Sequence, residues 1–315
     1  MTDIVAGIDI GGTNATFGLT DKNGNVLCDS SLKTGDFPVF QDFVNAASAL
    51  ISQMLEKTGG NLLGIGIGAP NANYARGTIE HAVNLTWNGI VPIAEKFKEK
   101  LGVEVKITND ANATAVGEKV FGAAKKSSDF VVLTLGTGLG GGIYVNGQLL
   151  YGHSGFAGEI GHILLVPGGR VCGCGQRGCA EAYVSATGIC RTAFELLAES
   201  RENSCLRNYS YNDLTSKIIA EAAKNGDKIA ISAFDKTAKY LGRVIADTIM
   251  FSSPEKIFLF GGLANAGDIL LVPAKKYAQS FALENMRDTF EVEMSQIPEA
   301  NAAILGAAAL IWEKL

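Results

Sequence analysis

Residues 4–10, IVAGIDI, form a short apolar run rich in β-branched residues that ends at a glycine pair, the pattern of a buried strand entering a tight turn. Strand-like runs follow at 15–20 and 25–32, with NG at 23–24 as a hairpin turn, so the chain is expected to open on a β-meander. The period then changes. Through FPVFQDFVNAASALISQMLEK (37–57), apolar side chains recur at Phe40, Phe43, Val44, Ala47, Leu50, Ile51, Met54 and Leu55, the spacing of an amphipathic helix. A strand at 62–68, a helix at about 91–101, a strand at 103–107 and a helix from Ala111 to about Phe121 follow. A second sheet is expected to begin at 129–135 and to pair through VNGQ (145–148), another NG turn. The meander-plus-helices unit is thus predicted twice, and two such units facing each other would place GIDIGGTN and LGTGLGGG on either side of a shared cleft. The apolar run AAILGAAALIW (302–312) leaves no chain for a core of its own and is expected to pack back on the first unit. This divides the protein into a small N-terminal α/β domain, 1–115 plus 302–315, and a larger α/β domain, 116–301.

Composition narrows the function classes. A hydrophobic fraction of 47% and a charged fraction of 19% over 315 residues suit a globular chain of about two domains. The net charge is −5 and there is no basic run, which argues against nucleic acid or an anionic membrane surface as the main partner. Asp3 and Asp9 interrupt the N-terminal apolar stretch, which has no positively charged flank, so it does not read as a signal peptide. The longest apolar run, 302–312, is too short to span a bilayer. A soluble, cytoplasmic protein is expected.

The 38 glycines gather in GIDIGGTNATFG (7–18), GIGIGAP (64–70), LGTGLGGG (135–142) and FGGLANAG (260–267), each after an apolar, strand-like run. One strand-to-glycine turn is an ordinary hairpin. Several in one chain, two with an adjacent threonine, suit backbone N–H groups presented to phosphates, although none has P-loop spacing. Gly11 and Gly12 remove side-chain obstruction, Thr13 adds a hydroxyl, and Asp9 at the strand end can act on a divalent cation, or serve merely as a turn or cap residue. Asp110 ends a strand in VKITNDANA and begins a helix. Helix capping and acid–base work are both open to it on local sequence.

Of six cysteines, Cys28, Cys190 and Cys205 lack clustered partners, whereas GHILLVPGGRVCGCGQRGCAE (161–181) gathers the rest. His162, Cys172, Cys174 and Cys179 make the Cys₃His set of a closed, structural Zn²⁺ site, with Gly173, Gly175 and Gly178 easing the tight loop. A closed site has no position for water, so the ion is not expected to act as a Lewis acid. A Cys172–Cys174 disulfide would be strained, and His153 is the only second imidazole nearby to activate a nucleophilic thiol. One ring nitrogen of His162 remains for another partner, and Glu181 lies two residues past the last ligand.

Taken together, DIGGTN (9–14), NDANA (109–113), LGTGLGGG, GEIGH (158–162), the C-x-C-G-x-x-G-C-x-E string (172–181) and FGG (260–262) resemble the ROK family of sugar kinases and repressors. The motifs run in order along essentially the whole chain, and AYVSATGI (182–189) resembles the bacterial glucokinase branch. The resemblance implies an α/β, actin-like ATPase (ribonuclease H-like) fold of two domains around a central cleft. It further implies ATP with Mg²⁺, a sugar substrate and a homodimer or homotetramer; the charge argument above adds that neither nucleic acid nor a membrane is expected as a partner. By that likeness Gly11, Gly12, Thr13 and Asn14, with Gly136, Thr137, Gly138 and Gly140 (and Gly141 and Gly142 beside it), would hold the phosphates. Asp9 would act on Mg²⁺ through water, and Gly261 and Gly262 would lie on the adenosine side. Asp110 would be the general base and Asn109 a sugar contact.

Glu159, His162 and Glu181 suit recognition of a neutral polyol, since buried hydrogen-bonding groups reject an analogue lacking one hydroxyl by roughly 10⁴-fold. Zinc would then arrange two sugar contacts, His162 and Glu181, without touching phosphate. Asn84 lies where the family often approaches the sugar and is given no role. The expected reaction is transfer of the γ-phosphoryl group of ATP to the 6-hydroxyl of glucose. The alternatives are N-acetylmannosamine, N-acetylglucosamine, fructose or allose as acceptor, or a non-catalytic sugar sensor. Only eight residues precede Asp9, leaving no room for the DNA-reading domain of the family's repressors, so repression is not expected.

Overall fold

The structure, a computed structural model, describes residues 2–315. The chain divides into two compact units, 1–126 with 149–157 and 296–315, and 127–148 with 158–295. The boundary expected at residue 115 falls inside a helix that belongs whole to the first unit.

In the first unit, β1 (Asp3–Ile10), β2 (Asn14–Thr20) and β3 (Val26–Lys33) form the expected antiparallel meander. The turn at Asn23-Gly24 differs in kind: it lies in a longer loop, where Asp21 Oδ1 accepts from the Asn23 and Asn25 N–H groups, both at 2.9 Å. Helix α1 (Phe40–Thr58) buries Phe43, Val44, Ala47, Ile51 and Met54 and stops at Gly59, whose φ of 69° suits a left-handed cap. Strand β4 (Asn61–Gly68) pairs parallel with β1. A small antiparallel sheet, β5 (Ala72–Asn73), β6 (Thr78–Glu80) and β7 (Ile90–Val91), precedes α2 (Ile93–Leu101). Strand β8 (Glu104–Thr108), parallel to β4, completes a five-stranded sheet of order β3-β2-β1-β4-β8 and leads into α3 (Asp110–Val120).

Helix α8 (Ala302–Trp312) is apolar all round because it is covered on several sides. It packs on β1, β4 and α3. A Cβ at Gly7 or Gly66 would strike the α8 backbone at Ile304 or Ala307, so these strand glycines let the helix lie directly on the sheet. The segment 149–157 also belongs here. Tyr151 stacks on Tyr74 with ring centroids 4.0 Å apart, and Asn73 Nδ2 donates to Ser154 O at 3.2 Å.

The second unit repeats the plan. Strands β9 (Phe130–Leu135), β10 (Leu139–Val145) and β11 (Gln148–Leu149) are antiparallel neighbours, and Asn146-Gly147, with φ of 52° and 74°, makes the tight NG turn. After α4 (Ala186–Glu199), α5 (Ser216–Lys224) and α6 (Lys228–Ser252), strand β12 (Lys256–Phe260) joins β9 in parallel. Helix α7 (Asp268–Phe281) packs on α6, and β13 (Glu291–Met294) closes the sheet β11-β10-β9-β12-β13. Among the described residues no helix is long and apolar enough to cross a membrane.

Candidate active site

In the first unit, the loop between β1 and β2 folds on itself through Gly11 N–H to Asn14 O at 2.9 Å. Buried Thr34 anchors it, its hydroxyl donating to Gly11 O at 2.9 Å and its N–H to Thr13 O at 2.9 Å. Sequence reading missed Thr34, which lies beyond β3 and carries no motif. Gly12 faces the backbone of Asn84, whose carbonyl oxygen would sit 2.5 Å from any Cβ there. Asn84 therefore touches the loop through its main chain.

Asp9 lies in β1 between Thr16 of β2 and Gly68 of β4. Burial first, and the charge of Asp110 second, raise its carboxyl to about 6. A folded-state value above the ordinary 3.8 means that the native state holds a proton the unfolded chain releases. The stability tied to that proton is fully present below about pH 4 and is lost as pH rises through 6. Asp9→Asn should therefore raise Tm relative to the parent at pH 8, by about 1–3 kcal/mol of stability, with the advantage vanishing near pH 4. Thermal melts across that range check this. A difference independent of pH would rule out the buried charge as its cause.

Asn109 caps α3, its Oδ1 accepting from the Asn112 N–H at 2.7 Å. The cap is thus Asn109, not Asp110. Asp110 occupies the first helical position, exposed, with Oδ1 accepting from the Ala111 N–H at 2.9 Å. The cap on Asn109 leaves the second carboxylate oxygen of Asp110 available.

In the second unit, Gly136-Thr137-Gly138 is the turn between β9 and β10. It is pinned by the start of α4, with Ala186 N–H to Gly136 O at 2.9 Å and the Thr187 hydroxyl to Thr137 O at 2.9 Å. Gly140, Gly141 and Gly142 are not part of it. They lie in β10 opposite Thr134, Leu133 and Val132, because the alternation of the strand absorbs them, and Gly141 admits Ile160 against the sheet. Gly261, at φ 101°, abuts the Leu135 carbonyl, and Leu263 N–H donates to Leu135 O at 3.0 Å, so the turn after β12 borders the turn after β9.

The Cys-rich loop is a small hairpin with bridges at Leu164–Cys179 and Val171–Arg177. Gly175 and Gly178 adopt φ of 88° and 86°, whereas Gly173 does not need the left-handed region. The loop gathers the side chains of His162, Cys172, Cys174 and Cys179, whose ligand atoms all lie within 4.8 Å of one another. Cys172 Sγ is 3.7 Å from His162 Nδ1, and Cys174 Sγ is 3.7 Å from Cys179 Sγ. The Cys174–Cys179 separation is close to the edge of about 3.8 Å expected for two thiolates around tetrahedral Zn²⁺ and is too long for a disulfide between them. Burial pushes the Cys172 thiol up to about 12, so a bound cation has to displace its proton.

With Nδ1 turned into the cluster, His162 Nε2 lies 3.8 Å from Glu159 Oε2. Glu181 is half-buried. Its Oε2 accepts from Leu139 N–H at 3.1 Å, and its Oε1 lies 3.5 Å from Cys172 Sγ. A Cβ on Gly138 would collide with this carboxylate. The Cys-rich loop thus meets the Gly136–Gly138 turn through Glu181.

Two sheets that each join an antiparallel meander to parallel strands, with glycine turns at the strand ends, define the α/β actin-like ATPase fold class. The chain belongs to the ROK family, whose pattern matches residues 5–314. It is 37% identical over 318 residues to a glucokinase of Halalkalibacterium halodurans, covering 98% of this chain and 94% of that protein. The crystal structure of a ROK family glucokinase from Streptomyces griseus in complex with glucose and AMPPNP aligns at TM-score 0.80 with 34% identity over 98% of each chain. A xylose repressor of Caldicellulosiruptor bescii is 29% identical over 98% of this chain and 77% of its own length.

Proposed function

We propose that this protein is an ATP-dependent kinase that transfers the γ-phosphoryl group to the 6-hydroxyl of glucose. The observation that carries the reading is the start of α3: Asn109 supplies the cap, which leaves the Asp110 carboxyl group exposed at the helix N-terminus. Kinship with glucokinases, one of them solved with glucose and AMPPNP, supports the substrate pair.

In this reading Asp110 takes the proton of the 6-hydroxyl as the phosphoryl group arrives. Phosphoryl transfer proceeds through a loose transition state in which positioning and charge neutralisation dominate over the strength of the base. The backbones of Gly11–Asn14 and Gly136–Gly138 would cradle phosphate oxygens, Gly261 and Gly262 would border the adenosine, and Asp9 would help to hold Mg²⁺, which would neutralise phosphate charge. Asn109 contacts the sugar through its amide N–H₂, its oxygen being committed to the cap.

His162, Cys172, Cys174 and Cys179 would hold Zn²⁺, which would fix the loop and the tautomer of His162 and leave Nε2 as donor. The 3.8 Å gap between Nε2 and Glu159 is too long for a direct hydrogen bond and suits a bridging sugar hydroxyl. Once Cys172 is a thiolate it no longer donates to Glu181, whose Oε1 is then available to a second hydroxyl. Glucose-dependent ADP release, with glucose 6-phosphate identified by ³¹P NMR, tests the reading. ATP-independent binding without turnover would make the protein a sensor.

A further inference from the structure

Arg170 lies beside the Cys-rich cluster and has no part in the chemistry above. Its side chain is only 8% exposed. All five guanidinium N–H donors are matched. Nε and Nη2 grip Glu195 at 2.8 and 2.6 Å, Nη2 also donates to Thr192 Oγ1 at 2.9 Å, and Nη1 donates to Ala182 O at 2.9 Å and Gly188 O at 3.1 Å. The guanidinium carbon stands 4.6 Å from the centroid of the Tyr183 ring, and the Arg170 N–H donates to the Tyr183 hydroxyl at 2.8 Å. Gly188, Thr192 and Glu195 climb the first turns of α4, whose opening residues Ala186 and Thr187 bond the carbonyls of Gly136 and Thr137.

Resting on the kinase reading, we infer that Arg170 is a positioning residue for the ATP-phosphate turn Gly136–Gly138, acting through α4. A planar five-donor fork fixes rotation as well as distance, which a lysine ammonium on a flexible stem does not. The Cys-rich loop therefore reaches the phosphate turn by two routes. Glu181 bonds Leu139 directly, and Arg170 sets the register of α4, whose first turn holds the carbonyls of residues 136 and 137.

The test is Arg170→Lys in the full chain, with a non-hydrolysable ATP analogue and glucose titrated separately by calorimetry. Zinc content and steady-state KM values are measured alongside. The expected result is an analogue Kd and a KM for ATP raised about tenfold, as for loss of hydrogen bonds to a charged group. Glucose Kd should stay within about twofold and metal stoichiometry should be unchanged. Thr187→Val should raise the ATP-side constants in the same sense, and the double variant should fall short of the product of the single effects, because both break one chain of contacts.

An analogue Kd within twofold of the parent, equal losses for sugar and nucleotide, or multiplicative effects in the cycle would each overturn the inference. Should Arg170→Lys fail to fold, Glu195→Gln carries the test, with about a threefold rise in analogue Kd expected; no rise would overturn it. A parent enzyme that binds the analogue yet does not phosphorylate glucose would sink the kinase reading alone, since analogue affinity reports on Arg170 whatever the acceptor.

Discussion

On the proposed reading, Asp110→Asn should lower kcat by about 10²–10⁴-fold while glucose still binds within about threefold of the parent. The substitution is isosteric, and the amide oxygen can still accept from the Ala111 N–H, so the start of α3 survives. The cap is on Asn109, 2.7 Å from the Asn112 N–H, and is untouched. What is lost is a group that can take up the hydroxyl proton. Because the Asp110 charge contributes to raising Asp9, the Asp9 carboxyl should move back toward its ordinary value in this variant. Steady-state kinetics with glucose calorimetry decides the matter. A near-normal kcat would remove Asp110 as the base.

If the Cys₃His cluster holds Zn²⁺ as proposed, treatment with a chelator should lower Tm by about 10 °C and weaken glucose binding at least tenfold, since a tight ligand of the native state stabilises by mass action and its loss would free the loop. Cys172 and Cys179 are buried, so without a cation their thiols offer that hairpin no covalent or ionic tie. Nucleotide affinity falls as well, by a smaller factor, because Glu181 still accepts from Leu139 N–H only while the hairpin keeps its shape. Metal analysis, thermal melts and glucose titration on one preparation check this. A metal-free sample that is equally stable and equally avid for glucose would refute the zinc assignment.

Much of this was legible from residue periodicity. The apolar runs 4–10, 62–68 and 129–135 became β1, β4 and β9, and the helical spacing through Phe43, Ala47 and Ile51 became the buried face of α1. The clustering of His162, Cys172, Cys174 and Cys179 was legible too, since four side chains within eighteen residues can meet without long-range folding. Features that depend on side-chain direction were not. Gly140 reads as a turn residue because glycine carries no period, yet the ladder with Thr134 places it in a strand. Asp110 reads as a possible cap on local sequence, yet the backbone angle at Asn109 makes Asn109 the cap. The return of 149–157 to the first unit rests on Tyr74 stacking with Tyr151, a pairing with no local signal. Arg170 reads as one more loop cation until its five partners are in place.

The central claim is phosphorylation of glucose at the expense of ATP. It is tested most directly by kcat/KM measured in one coupled assay for glucose, N-acetylmannosamine, N-acetylglucosamine, fructose and allose, with ATP and Mg²⁺ saturating. Glucose should exceed every other sugar by at least about a hundredfold, the discrimination that unpaired polar groups in a recognition site impose. Turnover of an N-acetylhexosamine with none of glucose would contradict the account.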